Sequence, residues 1–267
     1  MRVVRHPKAF ITALTVQMLA LPVIAFTIAL ILPIPAELKV GFIILAASPG
    51  GATSGFLTYL WRGNVALSLS LTAINSALTL FSIPVVVNLG LRVFLDKSSD
   101  LHLPFWDTVG HIFFITIIPA FLGVLLKRLR PVFAERISKP AKYIMLGLLA
   151  IVFAVKLFGS ESVGGTGLTA KDILLLLPVG MLQNAACLFT GYFALRYIGA
   201  PHASRLTAAM ESGVQNTTLA FLIAGNLLGN PEMVKPALIY SMFSFWTACL
   251  FAFLANKSTG KNISLRP

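Results

Sequence analysis

Long apolar segments dominate this sequence and restrict its possible folds more than any other feature. Eight stretches have about the length of a membrane-spanning helix, which needs about 20 apolar residues. They cover approximately 9–32, 39–60, 64–90, 105–126, 143–159, 168–198, 203–228 and 235–256, and only the fifth is short. Of the 267 residues, 57% are hydrophobic and 11% are charged, whereas ordinary soluble domains carry about 25% charged residues. We therefore expect an all-α integral membrane protein with about eight transmembrane helices.

The distribution of basic residues predicts the orientation of the chain. If the eight segments alternate in direction, 15 of the 21 Lys and Arg residues fall on the side that holds both termini. Because cytoplasmic loops are enriched in Lys and Arg, both termini are predicted to be cytoplasmic in a multi-pass protein of the cell (inner) membrane. The net charge of +12 is explained by this asymmetry, and a nucleic-acid partner is not expected. The fourth segment ends in the basic run KRLRPVFAERISKPAK, which is predicted to be the main cytoplasmic anchor.

One acidic residue, Glu211, lies deep inside an apolar segment, whereas the other eight lie in or beside connections. A charged side chain at the centre of a spanning helix costs about 3 kcal/mol, so it usually faces a partner, a cavity or an ion. The surrounding residues are rich in side-chain oxygens and include a glycine: Ser212, Gly213, Gln215, Asn216, Thr217 and Thr218. This pattern predicts a helix that is interrupted at mid-membrane and presents oxygens to a cation.

The second apolar segment contains a similar interruption. Proline and glycines are poor helix formers, and here they accumulate at mid-segment in the run Ser48, Pro49, Gly50, Gly51, Ala52, Thr53, Ser54 and Gly55. Irregular backbone at that depth persists only where protein or water satisfies it. A broken helix is therefore predicted; the alternative is a kinked helix whose small residues allow close packing.

Polar residues also mark the first and third segments. Gln17 lies in the middle of the first segment, where a single amide most often joins neighbouring helices, and Pro22 is expected to interrupt that helix. In the third segment, residues at spacings of three and four place hydroxyls and an amide on one face: Ser68, Thr72, Asn75, Ser76 and Thr79. Such a stripe points toward protein or a pathway rather than lipid.

The interrupted segments occupy corresponding places in two halves of the chain. The first helix begins 41 residues before the break near residue 50, and the sixth begins 45 residues before Gly213. Because the two triplets start five helices apart, they are predicted to form an inverted repeat with two interrupted, crossing helices. Paired interruptions of this kind indicate a transporter's binding site. Helix N-termini at the crossing favour an anion, and freed carbonyls favour a cation such as Na⁺.

The runs SPGGATSGFLTYLWRGNVALSLSLT and ESGVQNTTLAFLIA resemble the bile acid:sodium symporter family, and the similarity extends from about residue 6 to residue 256. The resemblance implies a single transporter domain over 1–267, with core helices at 9–90 and 168–256 and panel helices at 105–159. It also implies two Na⁺ sites. The first would use Ser54, Ser68, Thr72 and Glu211; the second would use Gln17, Glu211, Gln215 and the carbonyls of Ser212 and Val214. The substrate pathway would involve Pro49, Gly50, Gly51, Thr53, Gly213, Asn216 and Thr217.

Two features depart from the family pattern. Gly55 stands where the family usually has Asn, so the first Na⁺ site lacks one side-chain oxygen. The chain is also expected to begin at the third of ten family helices, which would leave out two panel helices.

These observations predict a secondary active transporter that moves a small organic anion (bile-acid-like, a keto acid or a related compound) into the cell, with Na⁺ as the coupling ion. A Na⁺-independent uniporter or a proton-coupled transporter is an alternative suggested by Gly55. A truncated, non-transporting membrane protein is another, suggested by the short N-terminus. An enzyme is not expected, since the sequence has no His-rich metal set, nucleophile elbow or phosphate loop, and no cofactor is predicted.

Overall fold

The computed structural model describes residues 7–95, 101–159 and 165–258, and every regular element in these ranges is a helix. The helices are α1 (Pro7–Ile31), α2 (Ala36–Ala46), α3 (Ala52–Leu60), α4 (Val65–Phe94), α5 (Phe105–Leu129), α6 (Pro131–Phe158), α7 (Ala170–Tyr197), α8 (His202–Gly213), α9 (Thr217–Phe221, continued by a π turn at Leu222–Leu227) and α10 (Pro231–Lys257). Five of the described helices, α1, α4, α5, α7 and α10, are long and apolar enough to cross a membrane. The chain is a multi-pass helical membrane protein.

Side-chain caps set the starts of three long helices. The Asn64 side chain accepts a hydrogen bond from the backbone N–H of Leu67 at the start of α4. Asn230 does the same for Met233 at the start of α10. Thr169 and Asp172 form a reciprocal capping box at the start of α7. Such caps satisfy backbone N–H groups that have no partner within the helix.

Two long helices contain a wider π-helical turn just before a proline. The turn Val16–Ala20 precedes Pro22 in α1, and the turn Phe113–Ile117 precedes Pro119 in α5. Proline has no N–H, and its ring collides with the carbonyl of the residue four positions earlier. A wider turn at that place relieves the conflict, so the interruption predicted at Pro22 is present as a π turn. As a result, Gln17 lies inside a turn of a type that is frequent at functional sites.

The interruptions predicted in the second and seventh segments are both present. Residues 47–51 separate α2 from α3, and residues 214–216 separate α8 from α9. The first break is shorter than expected, because Thr53, Ser54 and Gly55 belong to the first turn of α3. The backbone N–H of Asn216 donates a hydrogen bond to the carbonyl oxygen of Ser48 at 2.9 Å. The two breaks therefore touch, and each satisfies a backbone group that the other helix has left free.

The fifth segment differs from its prediction. A helix was expected only over 143–159, with the basic run before it forming a connection, but α6 begins at Pro131 and continues through most of that run to Phe158. Pro131 occupies the first turn, where a missing N–H costs little. The prediction was wrong because charged residues set the depth of a segment in the membrane but do not end a helix.

The short helices beside the breaks form the centre of the molecule. In α2, every residue from Val40 to Ala46 is buried, and α2 packs against α1, α4 and α10. In α8, every residue from Leu206 to Gly213 is buried. In the 18-residue apolar stretch of each of the long helices α1, α4, α7 and α10, 39% of the residues are buried inside the protein. In the corresponding stretch of α5, only 6% of the residues are buried. The breaks are therefore enclosed by α1, α4, α7 and α10, and α5 lies at the periphery.

Candidate cation site at the helix breaks

Glu211 lies in the last turn of α8 and is fully buried. The Ser68 hydroxyl donates to its Oε1 at 2.6 Å, and the Thr72 hydroxyl lies 3.5 Å from its Oε2. Ser68 and Thr72 are one turn apart on α4. Within the described residues, the side chains that hydrogen-bond the Glu211 carboxylate are hydroxyls, and no basic side chain is among them. A buried carboxylate with only hydroxyl partners requires a bound cation or a proton.

Gly50 allows the first break to approach Glu211 closely. A Cβ atom built on Gly50 would lie 2.7 Å from Ser54 Oγ, 2.8 Å from Glu211 O and 2.9 Å from Glu211 Oε2. Each distance is shorter than a carbon atom tolerates, and only glycine avoids them. The same contacts place Ser54 beside Glu211, while the Ser54 hydroxyl itself donates to Gly51 O at 2.8 Å. The structure thus brings together all four residues predicted for the first Na⁺ site.

The two amides predicted for the second site are both buried, and each contacts a residue other than Glu211. Asn75 Nδ2 donates a short hydrogen bond to Gln17 Oε1. Gln215 Nε2 lies 3.7 Å from Cys187 Sγ on α7. Within the described residues, neither Gln17 nor Gln215 is hydrogen-bonded to Glu211. The structure therefore places these amides on the α4 side and the α7 side of the breaks.

Several buried polar atoms around these amides have no hydrogen-bond partner among the described residues. They are Gln17 Nε2, Asn75 Oδ1, Ser212 Oγ and Gln215 Oε1. An unsatisfied buried polar group costs about 1–3 kcal/mol, so four in one region need an explanation. Three of the four are oxygens, and oxygens are the ligands of hard cations. This set of atoms fits Na⁺ as a transported ion.

Side chains from two long helices hold the end of α8 at the second break. The Gly213 carbonyl oxygen accepts hydrogen bonds from Tyr240 Oη at 2.7 Å and from Asn184 Nδ2 at 2.8 Å. The Thr247 hydroxyl in turn donates to Asn184 Oδ1 at 2.7 Å. Because Tyr240 and Asn184 are both buried, these bonds fix the backbone next to Ser212 and Val214.

The residues predicted for the substrate pathway divide into two groups. Pro49, Gly50 and Gly213 are buried with the predicted ion ligands. The second group reaches the surface of the chain: Thr53 is exposed, and Gly51, Asn216 and Thr217 are half-buried. The Asn216 side chain also accepts a hydrogen bond from Leu219 N–H at the start of α9. The breaks thus have a buried side around Glu211 and an accessible side around Thr53.

A family model described as the Sodium Bile acid symporter family matches residues 1–165, which is more than half of the chain. The chain belongs to the sodium bile acid symporter family. The resemblance predicted from the two motifs is thereby confirmed. The matched region contains the first break, Gln17 and the polar stripe of α4, and it ends before α8.

Relatives of this symporter-family chain extend the similarity through α8. An uncharacterized sodium-dependent transporter of Bacillus subtilis, YocS, is 27% identical over 263 residues, which is 97% of this chain and 77% of YocS. The rabbit ileal sodium/bile acid cotransporter is 28% identical over 254 residues, 93% of this chain and 70% of the rabbit protein. A probable chloroplastic sodium/metabolite cotransporter of rice, BASS2, is 28% identical over 240 residues, 89% of this chain. The chain spans 54% of that rice relative, about half of its length.

Sequence reasoning missed the connections made by three buried residues of this symporter-family chain. Asn75 was assigned to the polar face of the third segment but was given no role, although it lies three residues after Thr72 on the same face. Asn184 and Tyr240 were not assigned to the site. A polar side chain in the middle of an apolar helix was the available signal for all three, but their partners depend on how the helices pack.

Proposed function

We propose that this chain is a secondary active transporter that moves a small organic anion into the cell together with Na⁺. The observation that carries the proposal is Glu211: a buried carboxylate with hydroxyl partners and no basic partner in the described residues, at the contact of two helix breaks. Na⁺ would supply the missing positive charge. The names of the relatives, which describe sodium-dependent, sodium/metabolite and sodium/bile acid transporters, support the choice of ion.

The proposed ion ligands form two sets that share Glu211. The first set is Ser54, Ser68, Thr72 and Glu211. The second is Gln17, Glu211, Gln215 and the carbonyls of Ser212 and Val214. Gln215 Oε1, a buried oxygen without a partner among the described residues, favours the second set, since ion binding would remove the cost of leaving it unsatisfied. One bound Na⁺ would neutralise the Glu211 carboxylate, and a second would balance the negative charge of the transported anion.

The proposed anion pathway lies on the accessible side of the breaks. It involves Thr53, Asn216 and Thr217, with the buried Pro49, Gly50 and Gly213 and the half-buried Gly51 shaping the backbone there. α3 begins at Ala52, so its positive N-terminal end lies at the break and favours a negatively charged group. A polar side chain and a helix N-terminus together suit a carboxylate or sulfonate better than a neutral compound.

The proposed transport movement is a rocking of the core helices, 9–90 and 168–256, against the panel helices, 105–159. In the apolar stretch of α5 only 6% of the residues are buried, against 39% in each of the four enclosing helices. This low burial supports a panel that is loosely attached to the core. This proposal includes eight membrane crossings, an inverted repeat of the two halves, and both termini on the cytoplasmic side of the cell membrane. Breaks in corresponding helices of two inverted halves are typical of such transporters.

Uptake measurements in proteoliposomes test the proposal. Radiolabelled taurocholate and pyruvate, one bile acid and one keto acid, would be offered with an inward Na⁺ gradient or with choline in its place. We expect Na⁺-stimulated uptake of at least one compound by the wild-type protein, and loss of that stimulation in Glu211→Ala. Glu37→Ala is the matched control, because Glu37 lies in the first turn of α2, outside the proposed site. Na⁺-stimulated uptake that survives in Glu211→Ala would refute the assignment.

Gly55 favours one alternative, transport without Na⁺ coupling. A Cβ atom on Gly55 would lie 3.4 Å from Ser68 Oγ, so this position adjoins the first set but supplies no side-chain oxygen to it. Uptake that is unchanged when choline replaces Na⁺ would favour a uniporter or a proton-coupled transporter. Strict Na⁺ dependence would exclude both.

A further inference from the structure

Asn75 is a buried amide in which only one of the two polar side-chain atoms has a hydrogen-bond partner among the described residues. It is 1% exposed, and its Nδ2 donates to Gln17 Oε1. Its Oδ1 has no hydrogen-bond donor among the described residues. Gln17, its partner, is equally buried and also has one amide atom unsatisfied. The pair therefore joins α1 to α4 with one bond and leaves an oxygen acceptor without a donor.

The position of Asn75 connects it to Glu211. Ser68, Thr72 and Asn75 follow one another at spacings of four and three along α4, which places them on one face. Ser68 and Thr72 contact the Glu211 carboxylate, and Asn75 contacts Gln17 one turn further along. The polar face of α4 thus runs from Glu211 to Gln17.

The π turn that carries Gln17 brings the remaining unsatisfied oxygens into the same region. This turn packs against both α7 and α8. α8 carries Ser212, whose hydroxyl has no partner in the described part of the chain, and α7 carries Cys187, which contacts Gln215. Gln17 Oε1 accepts one hydrogen bond from Asn75 and keeps a second lone pair, so it can bind a cation without breaking its bond to Asn75.

We propose that Asn75 is a ligand of the cation that Gln17 and Gln215 bind, and that its Oδ1 adds a neutral oxygen to a site whose only charge is Glu211. This inference rests on the proposed function, since it takes Na⁺ as the ion. The only charged ligand is one carboxylate and the others are neutral oxygens, which suits a monovalent cation better than a divalent one. Asn75 is then a binding residue in addition to its contact with Gln17.

A purely structural role for Asn75 makes a different prediction. Polar side chains often join membrane helices by hydrogen bonds, and the bond to Gln17 would serve that purpose. Removing it would then lower the melting temperature equally at every Na⁺ concentration. Loss of a ligand, in contrast, moves the Na⁺ concentration at which stabilisation is half complete, because only the ion-bound state is affected.

The test is a Na⁺ titration of the melting temperature of purified protein in detergent, with choline chloride holding the ionic strength constant. Asn75→Ala and Asn75→Leu remove the oxygen, and the leucine variant keeps a similar volume if alanine disrupts folding. Asn75→Asp keeps an oxygen at the same place. Asn88→Ala is the matched control, because Asn88 lies on the same helix and hydrogen-bonds the backbone of Leu103 instead. Glu211→Gln completes the series.

We expect the half-saturating Na⁺ concentration to rise at least about 10-fold in Asn75→Ala and Asn75→Leu, the lower end of the effects seen when metal-site residues are removed. Asn75→Asp should bind Na⁺ no more weakly than the wild type, and Asn88→Ala should keep the wild-type half-saturation despite a lower melting temperature. Suppose that Na⁺ stabilises the wild type but not Glu211→Gln, and that Asn75→Ala or Asn75→Leu keeps the wild-type half-saturation. This result would overturn the inference about Asn75 alone. A wild-type protein that does not respond to Na⁺ would overturn the proposed function with it.

Discussion

At the scale of single residues, the hydroxyl of Ser68 is the nearest donor to the buried carboxylate. Its bond to Glu211 Oε1, at 2.6 Å, is much shorter than the 3.5 Å contact from Thr72. A hydroxyl can donate to a carboxylate and still offer lone pairs to a cation. Ser68 can therefore act in both states, stabilising the carboxylate without the ion and binding the ion when it is present.

Replacing Ser68 tests this role against a neighbour on the same helix. Ser68→Ala should raise the half-saturating Na⁺ concentration about 10-fold and lower stability by about 1–3 kcal/mol, because it removes a hydrogen bond to a charged group. Ser70→Ala is the matched control, since the Ser70 hydroxyl donates to the Ala66 carbonyl one turn earlier on the same helix. A Na⁺ titration of the melting temperature measures both effects. Equal half-saturation in the two variants would contradict a role for Ser68 in ion binding.

Residue chemistry made part of the site predictable and left part of it hidden. Glu211, Ser54, Ser68 and Thr72 stand out because each is polar within an apolar segment, and the structure places them together. The bond between Asn75 and Gln17 links positions 58 residues apart. It depends on how α1 and α4 pack, and a single sequence carries no direct signal for such a pairing.

At the scale of elements, two short breaks position the site. Proline and glycine at the first break made its existence predictable, but its length was overestimated, because Thr53, Ser54 and Gly55 tolerate a helix once Gly51 has started it. The extension of α6 back to Pro131 was missed for a related reason, since prolines and charges in a sequence mark probable ends without enforcing them. The contact between Asn216 and Ser48 could be expected only once the two segments were taken to cross.

Adding one methyl group to the first break should separate it from Glu211. Gly50→Ala would place its Cβ 2.8 Å from the Glu211 backbone oxygen, so the break must move. We expect a loss of stability of about 1–3 kcal/mol, typical of overpacking, and a melting temperature that no longer responds to Na⁺. In Gly51→Ala the nearest atom, Asn216 Nδ2, would lie at an ordinary 3.5 Å, so its melting temperature should change much less. Similar destabilisation in both variants would show that the close approach is not specific to Gly50.

At the scale of the whole molecule, the apolar segments predicted a membrane protein of helices, and the fold agrees. What composition could not predict is how unevenly the spans are buried: α1, α4, α7 and α10 enclose the short helices, while α5 remains at the edge. The enclosure removes water from Glu211 and from the oxygens around it, so an ion bound there must take its ligands from the protein. If Na⁺ binds these buried oxygens, the folded protein should be more stable with Na⁺ than without it.

The measurement that tests this most directly is the melting temperature of the purified protein in Na⁺ and in choline, for the wild type, Glu211→Gln and the control Glu37→Gln. Ligand binding to the folded state alone stabilises it by about 2.7 kcal/mol when the ligand is about 100 times its dissociation constant. We predict that Na⁺ raises the melting temperature of the wild type and of Glu37→Gln, and leaves Glu211→Gln unchanged. A melting temperature of the wild type that is the same in Na⁺ and in choline would contradict a sodium site at Glu211.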